Sequence, residues 1–406
     1  MSRHVGSGTR IAVVVVLLWL YGCGGGGGST SVGGGSSPPV SASNATTLLV
    51  DGGPAGSINA AFATVTLCTP NASTCSTIDH VLVDTGSTGL RVLAALLPAA
   101  TPLPQATLAD GRPMYECIQF ADGYAWGPVR TADVQIAGEQ ARALPVHVIG
   151  DATAPAAPAD CPNGAPPQDS VMALGANGIL GIGVFREDCG AACAGSAVPA
   201  GYYGCTSACA AVMVDLTRQV QNPVYRFATD NNGFQMQLPS VGAAGALGAR
   251  GTLTFGLDTQ ANNALGTAAI VSVDPVLGSF KTLYKGTALA NSYIDSGSNA
   301  YFFADASLPA CTGSAAPGFY CPATVQSLAA TNQSSTGNVT NVSFSVANAT
   351  ALVTNNPAFT AFQSLAGNNP VGSSFDWGLP FFFGRTVSFA IEGQATSAGA
   401  GPFVAY

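Results

Sequence analysis

Thr77-Ile78-Asp79-His80-Val81-Leu82-Val83-Asp84-Thr85-Gly86-Ser87-Thr88-Gly89-Leu90 begins as a strand rich in β-branched and aliphatic residues and runs into a tight polar turn. Alone, Asp-Thr-Gly-Ser after a strand reads as an ordinary turn, with Asp and Thr bonding to local backbone and Gly easing the chain reversal. The pattern returns 211 residues later in Asn291-Ser292-Tyr293-Ile294-Asp295-Ser296-Gly297-Ser298, which again leads into apolar residues, Ala300-Tyr301-Phe302-Phe303. One copy is a turn; two copies imply two related halves, each presenting a carboxylate at the end of a strand.

Two such carboxylates brought face to face cannot both ionise, so they share a proton. One then serves as a base that activates water, and the other as an acid that polarises a carbonyl. Asp84 and Asp295 are the expected catalytic pair. Thr85, Ser87, Ser296 and Ser298 carry hydroxyls able to hold the carboxyls in plane, while Gly86 and Gly297 leave room for the opposing turn.

With these residues the chain resembles the pepsin-like aspartic peptidases, and further segments compare along most of residues 55 to 395. Ala176-Asn177-Gly178-Ile179-Leu180-Gly181-Ile182-Gly183 resembles the segment that threads beneath the first catalytic turn. Phe120-Ala121-Asp122-Gly123-Tyr124 occupies the place of the flap hairpin, so Phe120, Asp122, Gly123 and Tyr124 are the expected flap and substrate-binding residues. Gly378-Leu379-Pro380-Phe381-Phe382-Phe383 through Phe389 is similar to the closing strand and helical turn of the second lobe. The chain also resembles a group of bacterial lipoproteins of unknown function. The resemblance implies an all-β, bilobal fold of two related barrel-like lobes, residues 44–245 and 246–406, that hydrolyses peptide bonds. A peptide or protein substrate, no cofactor and no metal go with it. A catalytically inactive lipoprotein that binds peptides, or serves as a surface module, is the other reading.

Three positions depart from the pattern. Phe120 stands where that family has a flap Tyr, and Arg91 where it commonly has the Trp that partners the Tyr. Asp376, two residues before Gly378, puts a charge in a segment expected to be buried. Tyr124 or Trp126 offers another closure over the substrate.

Outside the turns, composition sets the class. Of 406 residues, 13 are basic and 21 acidic, giving a net charge of -8, while 47% are hydrophobic, 50 are Gly and 26 are Pro. A chain so poor in charge is neither a disordered tail nor a coiled coil, and its sign excludes a phosphate-bound nucleic acid partner. Arg3 and Arg10 followed by the apolar run Ile11–Leu20 read as a secretory signal over residues 1–22, too short to span a bilayer. Leu20-Tyr21-Gly22-Cys23 resembles a lipobox, which makes Cys23 a lipidation site and residues 23–43 a Gly/Ser-rich tether. An exported monomer, held by its lipid at the outer membrane or cell surface, is expected.

The other ten cysteines are an even set suited to disulfides in an exported chain. Cys68 with Cys75 and Cys311 with Cys321 are the simplest pairs, and Cys117 with Cys161 follows. Cys189, Cys193, Cys205 and Cys209 form C-x3-C twice. Two nested disulfides are the expected outcome, with zinc thiolates the other reading. A Ser-His-Asp triad is disfavoured, because His80 and His147 are the only histidines beyond the leader and no G-x-S-x-G elbow accompanies them. Strand alternation places His80 on the face of Ile78 and Leu82.

Overall fold

The computed structural model describes residues 43–406. The signal segment, Cys23 and the tether up to residue 42 lie outside the described residues. Within them, no helix is long and apolar enough to cross a membrane.

The first lobe is a closed barrel. Strand Ala61–Cys68 pairs with Cys75–Asp84, which runs parallel to Gly178–Ile182; that strand is antiparallel to Thr88–Leu93. Thr88–Leu93 runs parallel to Glu139–Ile149, and Tyr124–Ile136 closes the circuit by pairing with both Glu139–Ile149 and Ala61–Cys68. The Asp84 turn is therefore the short link between two strands that flank the same Gly-Ile-Leu-Gly strand. Leu180 and Ile182 are fully buried there, among Val81, Val83, Leu90 and Val92.

The second lobe repeats this arrangement. Thr287–Ile294 runs parallel to Asp376–Trp377, that pair is antiparallel to Tyr301–Phe302, and Tyr301–Phe302 runs parallel to Ala366–Gly367. The hairpins of Phe280–Tyr284, Gln326–Gln333 and Val339–Val346 complete the sheet. Alternation along 375–377 sends Phe375 and Trp377 into an aromatic core, where their rings stack 3.9 Å apart and Phe303 stacks on Phe375 at 4.6 Å. The same alternation turns Asp376 the other way.

A shared sheet joins the halves. Ala45–Val50 pairs over six positions with Ala249–Phe255, and Gly233–Leu238 bridges Ala249–Phe255 to Arg385–Ala390. One apolar cluster runs through this sheet into both lobes, so the lobes are not independently cored.

Two expectations are corrected. The strand bearing His80 has a β-bulge: Ile78 faces Val65 and Val81 faces Ala63, so Asp79 and His80 together oppose one residue. His80 takes a φ of 47°, and the buried face becomes Ile78, Val81 and Val83, while His80 contacts Asp51 at 3.3 Å and Asp79 at 3.1 Å. The four clustered cysteines do not nest. They pair locally as Cys189–Cys193 and Cys205–Cys209, alongside Cys68–Cys75, Cys117–Cys161 and Cys311–Cys321. A single helical turn, Ala191–Gly195, and a hairpin, Tyr202–Cys205 with Cys209–Ala211, bring each C-x3-C pair together, so nesting is unnecessary.

Candidate active site

The two Asp turns meet at the junction of the lobes and are cross-linked symmetrically. The Thr85 amide donates to Ser296 Oγ at 3.1 Å, and the Ser296 amide donates to Thr85 Oγ1 at 2.9 Å. Each hydroxyl then donates across to the other lobe, Thr85 Oγ1 to the Ile294 carbonyl at 3.1 Å and Ser296 Oγ to the Val83 carbonyl at 2.6 Å. Four hydrogen bonds between buried groups fix the separation of the turns, and a hydroxyl lost from either side would strand a buried backbone donor or acceptor.

Each carboxyl is held by its own turn. The Gly86 amide donates to Asp84 Oδ1 and the Gly297 amide to Asp295 Oδ1, both at 2.8 Å. Ser87 Oγ donates to Asp84 Oδ2, and Ser298 Oγ lies 3.1 Å from Asp295 Oδ2. The turns approach so closely that a Cβ on Gly86 would lie 2.6 Å from Asp295 Cγ, and one on Gly297 would lie 2.7 Å from Asp84 Oδ1. The same Cβ on Gly297 would lie 3.1 Å from Asp295 Oδ1, so the two carboxyls converge on one place. Asp295 keeps part of its surface open, yet burial and the neighbouring Asp84 charge push its pKa up to about 7. Asp295 therefore keeps its proton up to about pH 7.

The segment expected as the flap is a hairpin of Met114–Gln119 and Tyr124–Ile136 whose tip, residues 120–123, is closed by the Phe120 amide donating to the Gly123 carbonyl at 2.8 Å. Phe120 packs on an apolar cluster containing Leu93, Ile118 and Ile149. Asp122 accepts from Gln168 Nε2 at 2.6 Å, and burial raises its pKa. Tyr124 bonds through its backbone to Pro166 and Gln168. Trp126 is already spent. Its ring lies between Tyr115 and Tyr203, and its Nε1 donates to the Pro155 carbonyl at 2.8 Å. The Cys117–Cys161 disulfide and the strand Tyr202–Cys205 brace the hairpin from outside.

Arg91 does not reach the flap tip. It is fully buried, donates to the Thr88 carbonyl at 2.6 Å behind the Asp84 turn, and bonds Glu116 Oε1 at 2.7 Å and Asp188 Oδ2 at 3.2 Å. Glu116 is on the flap strand, so Arg91 ties the base of the flap to the strand leaving the Asp84 turn. Burial would drive both acids neutral. Arg91 and His147 nevertheless hold Glu116 below its ordinary value, while burial and the Glu116 charge push Asp188 well up. Arg91 and Glu116 thus make the buried ion pair, and Asp188 is the acid that burial favours neutral. Sequence reading found Arg91 as a departure but missed Glu116, Asp188 and Tyr202, whose hydroxyl donates to Asp188 at 2.6 Å. The scarcity of acids was the available signal, since an Arg in an apolar strand requires a carboxylate partner.

Paired Asp turns at the junction of two related β lobes define a pepsin-like architecture. The aspartic proteinase from Irpex lacteus is similar in structure, with a TM-score of 0.51 at 14% identity, over 87% of this chain and 99% of that one. A family model described as a protein of unknown function (DUF3443) matches residues 40–406, and the chain belongs to that family. No curated protein matches it in sequence. The five disulfides suit an exported protein.

Proposed function

We propose that this protein is an aspartic endopeptidase in which Asp84 and Asp295 hydrolyse peptide bonds through one activated water. The observation that carries the reading is the convergence of the two carboxyls at the cross-linked turns, with Asp295 raised to about 7 by burial and the Asp84 charge. The ionised member takes a proton from water as the oxygen attacks the peptide carbonyl carbon, and the protonated member gives its proton to the carbonyl oxygen. The resulting gem-diol collapses as a proton passes to the amide nitrogen, and the C–N bond breaks. The backbone amides of Gly86 and Gly297 and the hydroxyls of Ser87 and Ser298 keep the carboxyls in plane throughout. Phe120, Asp122, Gly123 and Tyr124 would cover a peptide lying in the cleft, with selection resting on shape and main-chain contacts, since Phe120 has no hydroxyl to donate. Attachment through lipidated Cys23 would present the site at the outer membrane or cell surface, with protein substrates and no nucleic acid.

The absent flap hydroxyl also supports a second reading, a peptide-binding module without turnover. Digestion of a peptide library from about pH 3 to 7 separates the two. The peptidase reading expects internal cleavage in acid; peptides retained on the protein with none cleaved would favour the binding module.

A further inference from the structure

The carboxyl of Asp376 has no place in the two-acid scheme, yet it is buried against the site. It stands on the strand that runs parallel to Thr287–Ile294, directly beside Tyr293, at the place where the first lobe has Ile179 beside Leu82. Its Oδ2 lies 2.6 Å from Ser298 Oγ, the same hydroxyl that lies 3.1 Å from Asp295 Oδ2. Its Oδ1 is buried with no hydrogen-bond partner.

Counting protons decides the arrangement. Ser298 has one hydroxyl proton and two carboxyl neighbours, so it can donate to only one of them and must accept from the other. On the peptidase reading Asp295 already shares a proton with Asp84. A bare, buried oxygen is far more costly on a carboxylate than on a neutral acid. We propose that Asp376 is a third carboxyl of the site, held as the neutral acid, which donates its proton to Ser298 Oγ and so aims the Ser298 hydroxyl at Asp295. Asp376 is a positioning residue: it acts on Asp295 through Ser298, and its role as a tuner of catalysis rests on the peptidase reading. The groups facing it are Asp295 on the adjoining turn, Tyr293 on the adjoining strand and Asp84 from the first lobe; Phe302 opposite it brings no charge. Among the described residues it forms no ion pair with Lys, Arg or His. Burial and the Asp295 charge act together to keep it protonated.

The experiment uses the full chain with 13C-labelled Asp carboxyls, in the wild type and in Asp376→Asn, Asp84→Asn and Asp295→Asn. At about pH 7, well above an ordinary carboxyl pKa of about 4, protonated Asp resonances are expected from Asp188, from the Asp84 and Asp295 pair and from Asp376; one of them vanishes in Asp376→Asn alone and persists in Asp84→Asn and in Asp295→Asn. Ordinary titration of the Asp376 carboxyl near pH 4 overturns the proposal. This readout needs no turnover, so an inactive wild type removes the peptidase reading and leaves the protonation of Asp376 to be decided by the spectrum. With turnover, Asp376→Asn, whose amide can donate to Ser298, keeps kcat/KM within about threefold and leaves the alkaline limb of the profile in place. Asp376→Leu lowers kcat about tenfold with KM unchanged. An alkaline limb displaced downward by about a unit in Asp376→Asn would mean that a negative charge was removed, and would overturn the proposal.

Discussion

Gly86 and Gly297 each face the carboxyl of the opposite lobe at a distance that no side chain tolerates. Gly86→Ala or Gly297→Ala must push the turns apart, and is expected to lower peptidase activity at least about 100-fold, since misplacing reacting groups by an ångström costs that much. Thermal melting should fall as well, by an amount set by overpacking, about 1–3 kcal/mol. Asp295 adds a pH dependence. Its folded pKa, about 7, lies above the unfolded value of about 4. Its contribution to stability is therefore fully present below about pH 4 and is lost as pH rises through about 7. Asp295→Asn removes this penalty, so its melting temperature should match wild type near pH 4 and exceed it increasingly toward pH 7 and above. Melting curves of both proteins across that interval check the sign, and a constant difference would count against a raised Asp295.

Among the strands and hairpins, the flap depends on buried polar ties. Arg91→Met leaves Glu116 and Asp188 without their cation, and removing one partner of a buried pair costs about 3–5 kcal/mol. Chemical denaturation would measure that loss, and hydrogen exchange should rise first along Met114–Gln119, where Glu116 is anchored. The Cys117–Cys161 bridge closes a 44-residue separation between the flap strand and the segment that braces it. Chain-entropy arguments give it about 4 kcal/mol, so Cys117→Ser with Cys161→Ser should destabilise more than opening Cys189–Cys193, whose separation is 4. The sequence shows the strands and both Asp turns plainly, because local chemistry writes them: β-branched runs, then Asp, a hydroxyl and Gly. It hides whatever depends on distant partners. Arg91 meets Asp188 97 residues away, and no local pattern announces that encounter. The bulge at His80 is likewise invisible to alternation, which assumes an unbroken period of two.

For the molecule as a whole, the repeat of one strand arrangement in both lobes makes the site a product of assembly. Neither turn is complete alone, since Thr85 and Ser296 each bond to backbone of the other lobe. The duplicated motif was enough to foresee the architecture and the meeting of the Asp84 and Asp295 turns. The role proposed for Asp376 was not foreseeable, because a charge in a segment expected to be buried reads only as a departure until Ser298 is seen between it and Asp295. The same assembly makes the central claim easy to test. Cleavage of an unfolded protein in acid should be measured for wild type, Asp84→Asn and Asp295→Asn, with folding of each variant verified by circular dichroism. The two-carboxyl account predicts that either substitution lowers the rate on the order of 10³-fold or more. Undiminished cleavage by either folded variant would contradict it.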